Sequence, residues 1–199
     1  MKKYGIDRVR LFVALDIPDN VRSAIAGVAA KLRASCAGAR WVRIEGAHVT
    51  LKFIGEVIPT RVGEIEAALG TVPFPDPVSI QFRGLGFFPN ERRPRVLWVG
   101  IEAGSGLAAL AEAVSHALSS VGVPRETRPF APHVTLARFE RAGGKGSLDA
   151  LHAAVAKAAP FNFGEAVETE FHLYLSVLKR GGAEYTRLAT FHSEGSKPR

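Results

Sequence analysis

With 199 residues, 47% of them hydrophobic and 23% charged, the chain has material for one globular domain or two small lobes, and it is neither fibrous nor disordered in composition. Lysine and arginine exceed aspartate and glutamate by seven, a modest bias towards phosphate-rich partners. Cys36 is the only cysteine, which excludes an intramolecular disulfide and a cysteine-built zinc site. The charged start Met1-Lys2-Lys3 is not followed by the apolar stretch of a signal peptide, and no segment reaches the roughly 20 apolar residues of a membrane span. A soluble cytoplasmic monomer is the expectation.

Residues 10–17 are apolar and strand-compatible, and they end at the turn Pro18-Asp19-Asn20. Asp19 or Asn20 can cap the helix expected over 21–34, whose one face carries Val21, Ile25, Val28, Ala29 and Leu32. Short strands are predicted at 41–44 and 48–54, separated by Glu45-Gly46. Thr60 is placed to cap a second helix ending near Leu69, and the proline cluster at 73–77 reads as a loop. Strands over 78–88 and 96–101 flank the basic loop 90–95. An alanine-rich helix over 107–121 is stopped by Gly122. A loop over 124–132 leads to a strand over 133–139, followed by a helix over 148–158. Strands over 161–167, 171–178 and 185–192 complete the order, before a polar tail read as frayed over 193–199. Several strand-to-strand steps are too short for a parallel crossover. The fold class is therefore α+β with largely antiparallel sheets.

One tetrapeptide occurs twice. His48-Val49-Thr50-Leu51 and His133-Val134-Thr135-Leu136 are identical, lie 85 residues apart, and each opens a predicted strand after a loop. Strand alternation puts His48 and Thr50 on one face, with Val49, Leu51 and Phe53 on the other; His133 and Thr135 share a face in the same way. An offset close to half the chain suits two related lobes that bring both polar faces to one groove. Two imidazoles and two hydroxyls there suit in-line displacement at a phosphodiester. One neutral histidine takes a proton from water and a protonated one gives a proton to the leaving oxygen. The Thr50 and Thr135 hydroxyls hydrogen-bond the non-bridging oxygens. Imidazole suits both jobs because its ordinary pKa of about 6.5 lies near neutral pH, and no metal or other cofactor is needed.

These motifs, together with Arg10-Leu11-Phe12-Val13-Ala14-Leu15, Trp41, Lys52-Phe53-Ile54-Gly55, Gly86-Phe87-Phe88-Pro89, 96–100, 132–138 and Tyr174-Leu175-Ser176, resemble the 2H phosphoesterase superfamily over nearly the whole chain. Within it the chain is most similar to the RNA 2′,3′-cyclic phosphodiesterases, historically called 2′-5′ RNA ligases. The resemblance implies a bilobal antiparallel fold with helices outside and a central groove, in one domain of two interleaved lobes. It also implies hydrolysis of an RNA or nucleotide 2′,3′-cyclic phosphate to a 2′-phosphate. Joining of cleaved RNA ends, or RNA-end binding without turnover, are the competing readings. His48 is taken as general acid and His133 as general base, although two identical motifs leave the reverse open.

Other residues carry double readings. Lys52, placed by parity on the His48 face, either draws phosphate to the groove or is a solvated strand lysine. Parity turns Arg138 away from His133 unless a bulge reorients it, while its place in the resemblance makes it a phosphate or base contact. Phe130 is either a base-stacking ring or a hydrophobic plug. Arg92, Arg93 and Arg95 suit an RNA backbone or plain solvent, and Tyr174 and Ser176 are candidates to line the groove. His116, His152, His172 and His192 are read as structural or surface residues.

Overall fold

The computed structural model describes residues 8–36, 38–74, 76–139, 145–158, 161–179 and 182–194. The charged start and the tail beyond residue 194 lie outside them. The strands are β1 (Val9–Leu15), β2 (Arg40–Trp41), β3 (Val49–Val57), β4 (Val78–Phe88), β5 (Val96–Ala103), β6 (His133–Arg138), β7 (Asn162–Glu168), β8 (Glu170–Lys179) and β9 (Gly182–His192). The helices are α1 (Asp19–Arg33), α2 (Val62–Leu69), α3 (Ser105–Ser120) and α4 (Lys145–Ala158). Among the described residues no helix is long and apolar enough to cross a membrane.

Two antiparallel sheets result, with strand orders β3-β1-β8-β9 and β2-β6-β5-β4-β7. Each motif strand, β3 or β6, pairs with a strand that is itself flanked on its other side. The chain starts and ends in the first sheet, which takes β1 and β3 from one end of the sequence and β8 and β9 from the other, while β4 to β7 run consecutively in the second. The fold is α+β, as the short connections require.

The inner faces of both sheets and the helices share one apolar core. Leu11, Val13 and Leu15 of β1 meet Leu173 and Leu175 of β8, while Val21 and Ile25 of α1 and Leu107, Val114 and Leu118 of α3 close the outside. Each such side chain contributes about 1.5–3 kcal/mol on burial. The outer face of β1 is covered too. Phe12 and Ala14 form a second buried cluster with Tyr174. A strand buried on both faces loses the alternating pattern, which is why β1 reads as an unbroken apolar run.

Two cap assignments need correction. The N-cap of α1 is Pro18, with Asp19 already inside the first turn, and no side chain caps the helix. Thr60 lies within a short 3₁₀ turn, Pro59–Arg61, and Arg61 precedes α2 without a capping bond. Proline fixes the entry angle at both places, so a side-chain cap is dispensable. The strand expected at 41–44 is only Arg40–Trp41, and Ile44–Gly46 forms a 3₁₀ turn.

Candidate active site

His48 stands immediately before β3 and His133 is the first residue of β6, so both imidazoles emerge where a loop enters a sheet. In each case Nδ1 lies 2.8 Å from the carbonyl oxygen two residues earlier, Gly46 for His48 and Ala131 for His133. A carbonyl only accepts, so Nδ1 carries the hydrogen and Nε2 is left free to take or give a proton. His48, Thr50, His133 and Thr135 line one cavity of about 260 Å³ between the sheets.

Beyond each threonine the strand departs from simple alternation. Ala14 is opposite Thr50 and Val13 is opposite Lys52, so Leu51 is an extra residue in β3. Trp98 is opposite Thr135 and Leu97 is opposite Ala137, so Leu136 is an extra residue in β6. A bulge shifts parity by one, and both motifs carry it at the same leucine. Residues three beyond each threonine therefore return to the cavity: Phe53 in β3 and Arg138 in β6, both of which line it. A second irregularity in β3 falls at Ile54, beside Gly55, whose φ of +87° suits only glycine without strain.

The bulges correct two expectations. Lys52 does not face the cavity: it is only 7% exposed and its Nζ donates to the Pro124 carbonyl at 2.7 Å, tying β3 to the loop that leads into the second motif. Burial pulls its ammonium pKa down, partly opposed by Glu126. Phe53, assigned to the apolar face, is instead 58% exposed and in the cavity. The bulge at Leu136 turns Arg138 into the wall of the cavity that holds both histidines. Phe130 is 36% exposed and lines neither this cavity nor the larger one beside it. Arg92, Arg93 and Arg95 are exposed in the β4–β5 loop and line neither cavity. Ser176 lines the cavity, and Tyr174 lines its neighbour.

Around the histidines, aromatic rings set position. His48 stacks on Phe12 with centroids 4.6 Å apart, and Tyr185 meets His48 edge-on at 5.1 Å. Phe12 stacks in turn on Tyr174 at 5.3 Å. Among the described residues His133 has one such neighbour, Phe88, edge-on at 5.0 Å. Phe88 is itself 5.1 Å from the Trp98 ring, which lies so close over Gly86 that a Cβ there would come within 2.2 Å of it. Neither Phe12 nor Tyr185 is distinguishable in the sequence from ordinary strand aromatics. Phe53 is discoverable only through the bulge.

Burial lowers the pKa of both histidines. The hydrogen bond to the preceding carbonyl opposes that in each, and Arg138 adds to it in each. Two influences act on His48 and not, among the described residues, on His133: the Asp16 carboxylate, which favours the protonated form, and the charge of His133 itself, which opposes it. Among the other histidines, His172 is 1% exposed, with Nε2 3.4 Å from Glu170 and 3.8 Å from Asp16. His192 lies 3.2 Å from Glu170. His152 meets Phe87 edge-on. Among the described residues no group of three or more His, Cys, Asp or Glu side chains is arranged to hold a metal ion.

Two copies of the same histidine–threonine–bulge unit thus face one cavity. The LigT-like phosphoesterase family matches residues 15–98 and 99–185, with one motif in each stretch. The chain belongs to that family. This 2H phosphoesterase is 34% identical over 183 residues to the RNA 2′,3′-cyclic phosphodiesterase of Archaeoglobus fulgidus, covering 92% of the chain and 99% of the relative. It is 38% identical over 148 residues to the enzyme of the same name from Aeropyrum pernix, covering 74% and 82%. Its fold matches that of a Thermus thermophilus protein with a TM-score of 0.77 and 31% identity, over 94% of the chain and all of the other. Escherichia coli LigT complexed with 3′-AMP matches with a TM-score of 0.75 and 28% identity, over 94% and 99%.

Proposed function

We propose that this phosphoesterase hydrolyses RNA and nucleotide 2′,3′-cyclic phosphates to 2′-phosphates by general acid–base catalysis at His48 and His133, without a metal. The observation that carries the reading is the pair of Nδ1-to-carbonyl bonds, which turns both Nε2 atoms into exchangeable proton sites in a cavity they share. The names of the Archaeoglobus and Aeropyrum relatives support the cyclic RNA end as substrate.

In this mechanism His133 Nε2 removes a proton from water as the oxygen attacks phosphorus. A new P–O bond forms, the bond from phosphorus to the 3′-oxygen breaks, and His48 Nε2 delivers its proton to that oxygen. The net change is consumption of one water, leaving a 2′-phosphate and a free 3′-hydroxyl. Asp16 favours the protonated His48 required of the acid, which is why the roles are assigned in this sense. The Thr50 and Thr135 hydroxyls, with the Arg138 guanidinium, meet the non-bridging oxygens as negative charge shifts onto them. Phe53, exposed beside Phe12 at a centroid distance of 6.1 Å, offers a ring for the base.

The test is turnover of adenosine 2′,3′-cyclic phosphate, with products identified by chromatography, in the presence and absence of EDTA. Adenosine 2′-phosphate is the expected product at an unchanged rate in EDTA, and His48→Ala or His133→Ala each lowers the rate by about 10²–10⁴-fold. Loss of activity in EDTA with restoration by a divalent cation would eliminate the mechanism. RNA binding without any turnover would leave only a recognition module.

A further inference from the structure

The cleft does not end at His48. A second cavity of about 540 Å³ adjoins the first, and Phe12, Gly46, Ala47, His48, Ala183 and Tyr185 wall both. A space of that size is sufficient for a small-molecule ligand. It continues from the catalytic cavity on the His48 side, and the residues that carry Arg43 and Glu45 lead directly into His48 through the Ile44–Gly46 turn.

The polar groups of this second cavity divide into those already engaged and those that are not. Arg187 pairs with Asp16, and the Tyr174 hydroxyl also donates to Asp16. Arg22 donates to the carbonyls of Ile17 at 2.8 Å and Glu45 at 2.6 Å, and Glu184 pairs with Lys179. The Arg43 guanidinium and the Glu45 carboxylate have no partner among the described residues, and both side chains are exposed. The unoccupied functions are thus one cation and one hydrogen-bond acceptor, beside the half-buried ring of Tyr185. A ribonucleotide offers matching groups: a phosphodiester for the guanidinium, a ribose hydroxyl or base amine for the carboxylate, and an aromatic base.

We infer that this second cavity binds the nucleotide on the 5′ side of the one carrying the cyclic phosphate, with Arg43 at the connecting phosphodiester, so that the preferred substrate is an RNA end of two or more nucleotides. This rests on the proposed activity, and on its assignment of His48 to the 3′-oxygen, which puts the ribose and the RNA body on the His48 side. The alternative occupant is the 5′-hydroxyl nucleoside of a second strand, the arrangement that joining two RNA ends would need with the two histidine roles exchanged, since an attacking hydroxyl enters on the side of the general base.

The experiment compares adenosine 2′,3′-cyclic phosphate with the dinucleotide ApA ending in the same cyclic phosphate. Wild type, Arg43→Ala and Arg43→Glu are used as full chains, and binding of the corresponding 2′-phosphate products is measured in parallel. In the wild type kcat/KM for the dinucleotide exceeds that for the mononucleotide by about tenfold or more. Arg43→Glu removes that advantage in both turnover and product binding, while the mononucleotide values change by less than about twofold. Equal kcat/KM for the two substrates in the wild type overturns the inference, as does an equal loss on both in Arg43→Glu. Absence of all turnover with an Arg43-dependent preference for the dinucleotide product would support the subsite and reject the proposed activity. Addition of adenosine to the mononucleotide reaction provides the remaining arm. If a 2′-5′-linked dinucleotide accumulates in an Arg43-dependent way, the cavity takes a second strand and the 5′-neighbour assignment is wrong.

Discussion

Lys52→Met separates a structural lysine from a phosphate-binding one. The ammonium is buried and donates to the Pro124 carbonyl at 2.7 Å. A hydrogen bond to a charged group is worth roughly 1.5–3 kcal/mol, but here the cost of desolvating the ammonium offsets part of it, as the lowered pKa of the group records. Methionine keeps the aliphatic stem in its apolar surroundings and loses only the tie to the 124–132 loop. A net destabilisation of about 0.5–2 kcal/mol is expected, which for a chain of this length is a fall in Tm of roughly 2–6 °C. The kcat/KM for adenosine 2′,3′-cyclic phosphate should change by less than about threefold, because the side chain lies off the cavity face. A lysine in contact with phosphate would give a different pattern, a loss of about 10–150-fold from the same 1.5–3 kcal/mol with Tm unaltered. Thermal melts and steady-state kinetics on the one variant decide. A drop beyond about 30-fold at unchanged Tm would refute the parity argument and with it the placement of the Leu51 bulge.

Three further outcomes are expected. Burial holds the His48 and His133 imidazoles below their ordinary pKa, and the proposed mechanism needs one neutral and one protonated, so the bell of free-enzyme kcat/KM should peak below about pH 6.5. Activity falls on the alkaline side as the acid loses its proton, and a maximum above about pH 7.5 would contradict this. Arg138→Ala removes a cation that lowers both pKa values, so the bell should move to higher pH while kcat/KM falls about 10–100-fold. The Arg138 side chain is exposed, and the Tm should hold to within a degree or two. Burial, helped by Asp16 and Glu170, raises Glu168 to about 7, so the folded state holds this proton more tightly than the unfolded chain does. Its stabilising contribution is complete below about pH 4.5 and lost as pH rises through about 7. Glu168→Gln should therefore leave urea midpoints unchanged near pH 4 and raise stability by about 1–2 kcal/mol at pH 8.5, with the shift discounted for partial solvent screening.

The parts of this molecule legible in its sequence are those governed by local chemistry. Strand runs, the helix stop at Gly122 with its φ of +76°, and the two His-x-Thr units all depend on residues near one another in the chain. Two things were not legible, for different reasons. A bulge depends on how a partner strand hydrogen-bonds, so counting by twos past Thr50 puts Lys52 inside the cavity and Phe53 outside it, each reversed in the structure. Counting past Thr135 likewise turns Arg138 away, because the extra residue at Leu136 leaves no mark in the sequence. The seat of His48 is the other case. Phe12 comes from β1, Tyr174 from β8 and Tyr185 from β9, strands far apart in sequence that the sheet brings side by side. Asp16, whose charge favours protonated His48, reaches the site by the same route.

The paired bulges also set the polarity of the cleft. Its histidines and threonines are duplicated, and a ligand held by them alone would fit equally well either way round. The positions that the bulges return to the cleft are equivalent in the two halves but filled by unlike groups, a hydrophobic ring at Phe53 and a permanent cation at Arg138. A strand of RNA has a chemical direction, with bases and phosphates in fixed order along it. Unlike flanks around a like centre admit that order in one sense and oppose the other. On the proposed function, the duplicated unit supplies the chemistry, and the unlike pair Phe53 and Arg138 supplies the direction in which a strand is threaded.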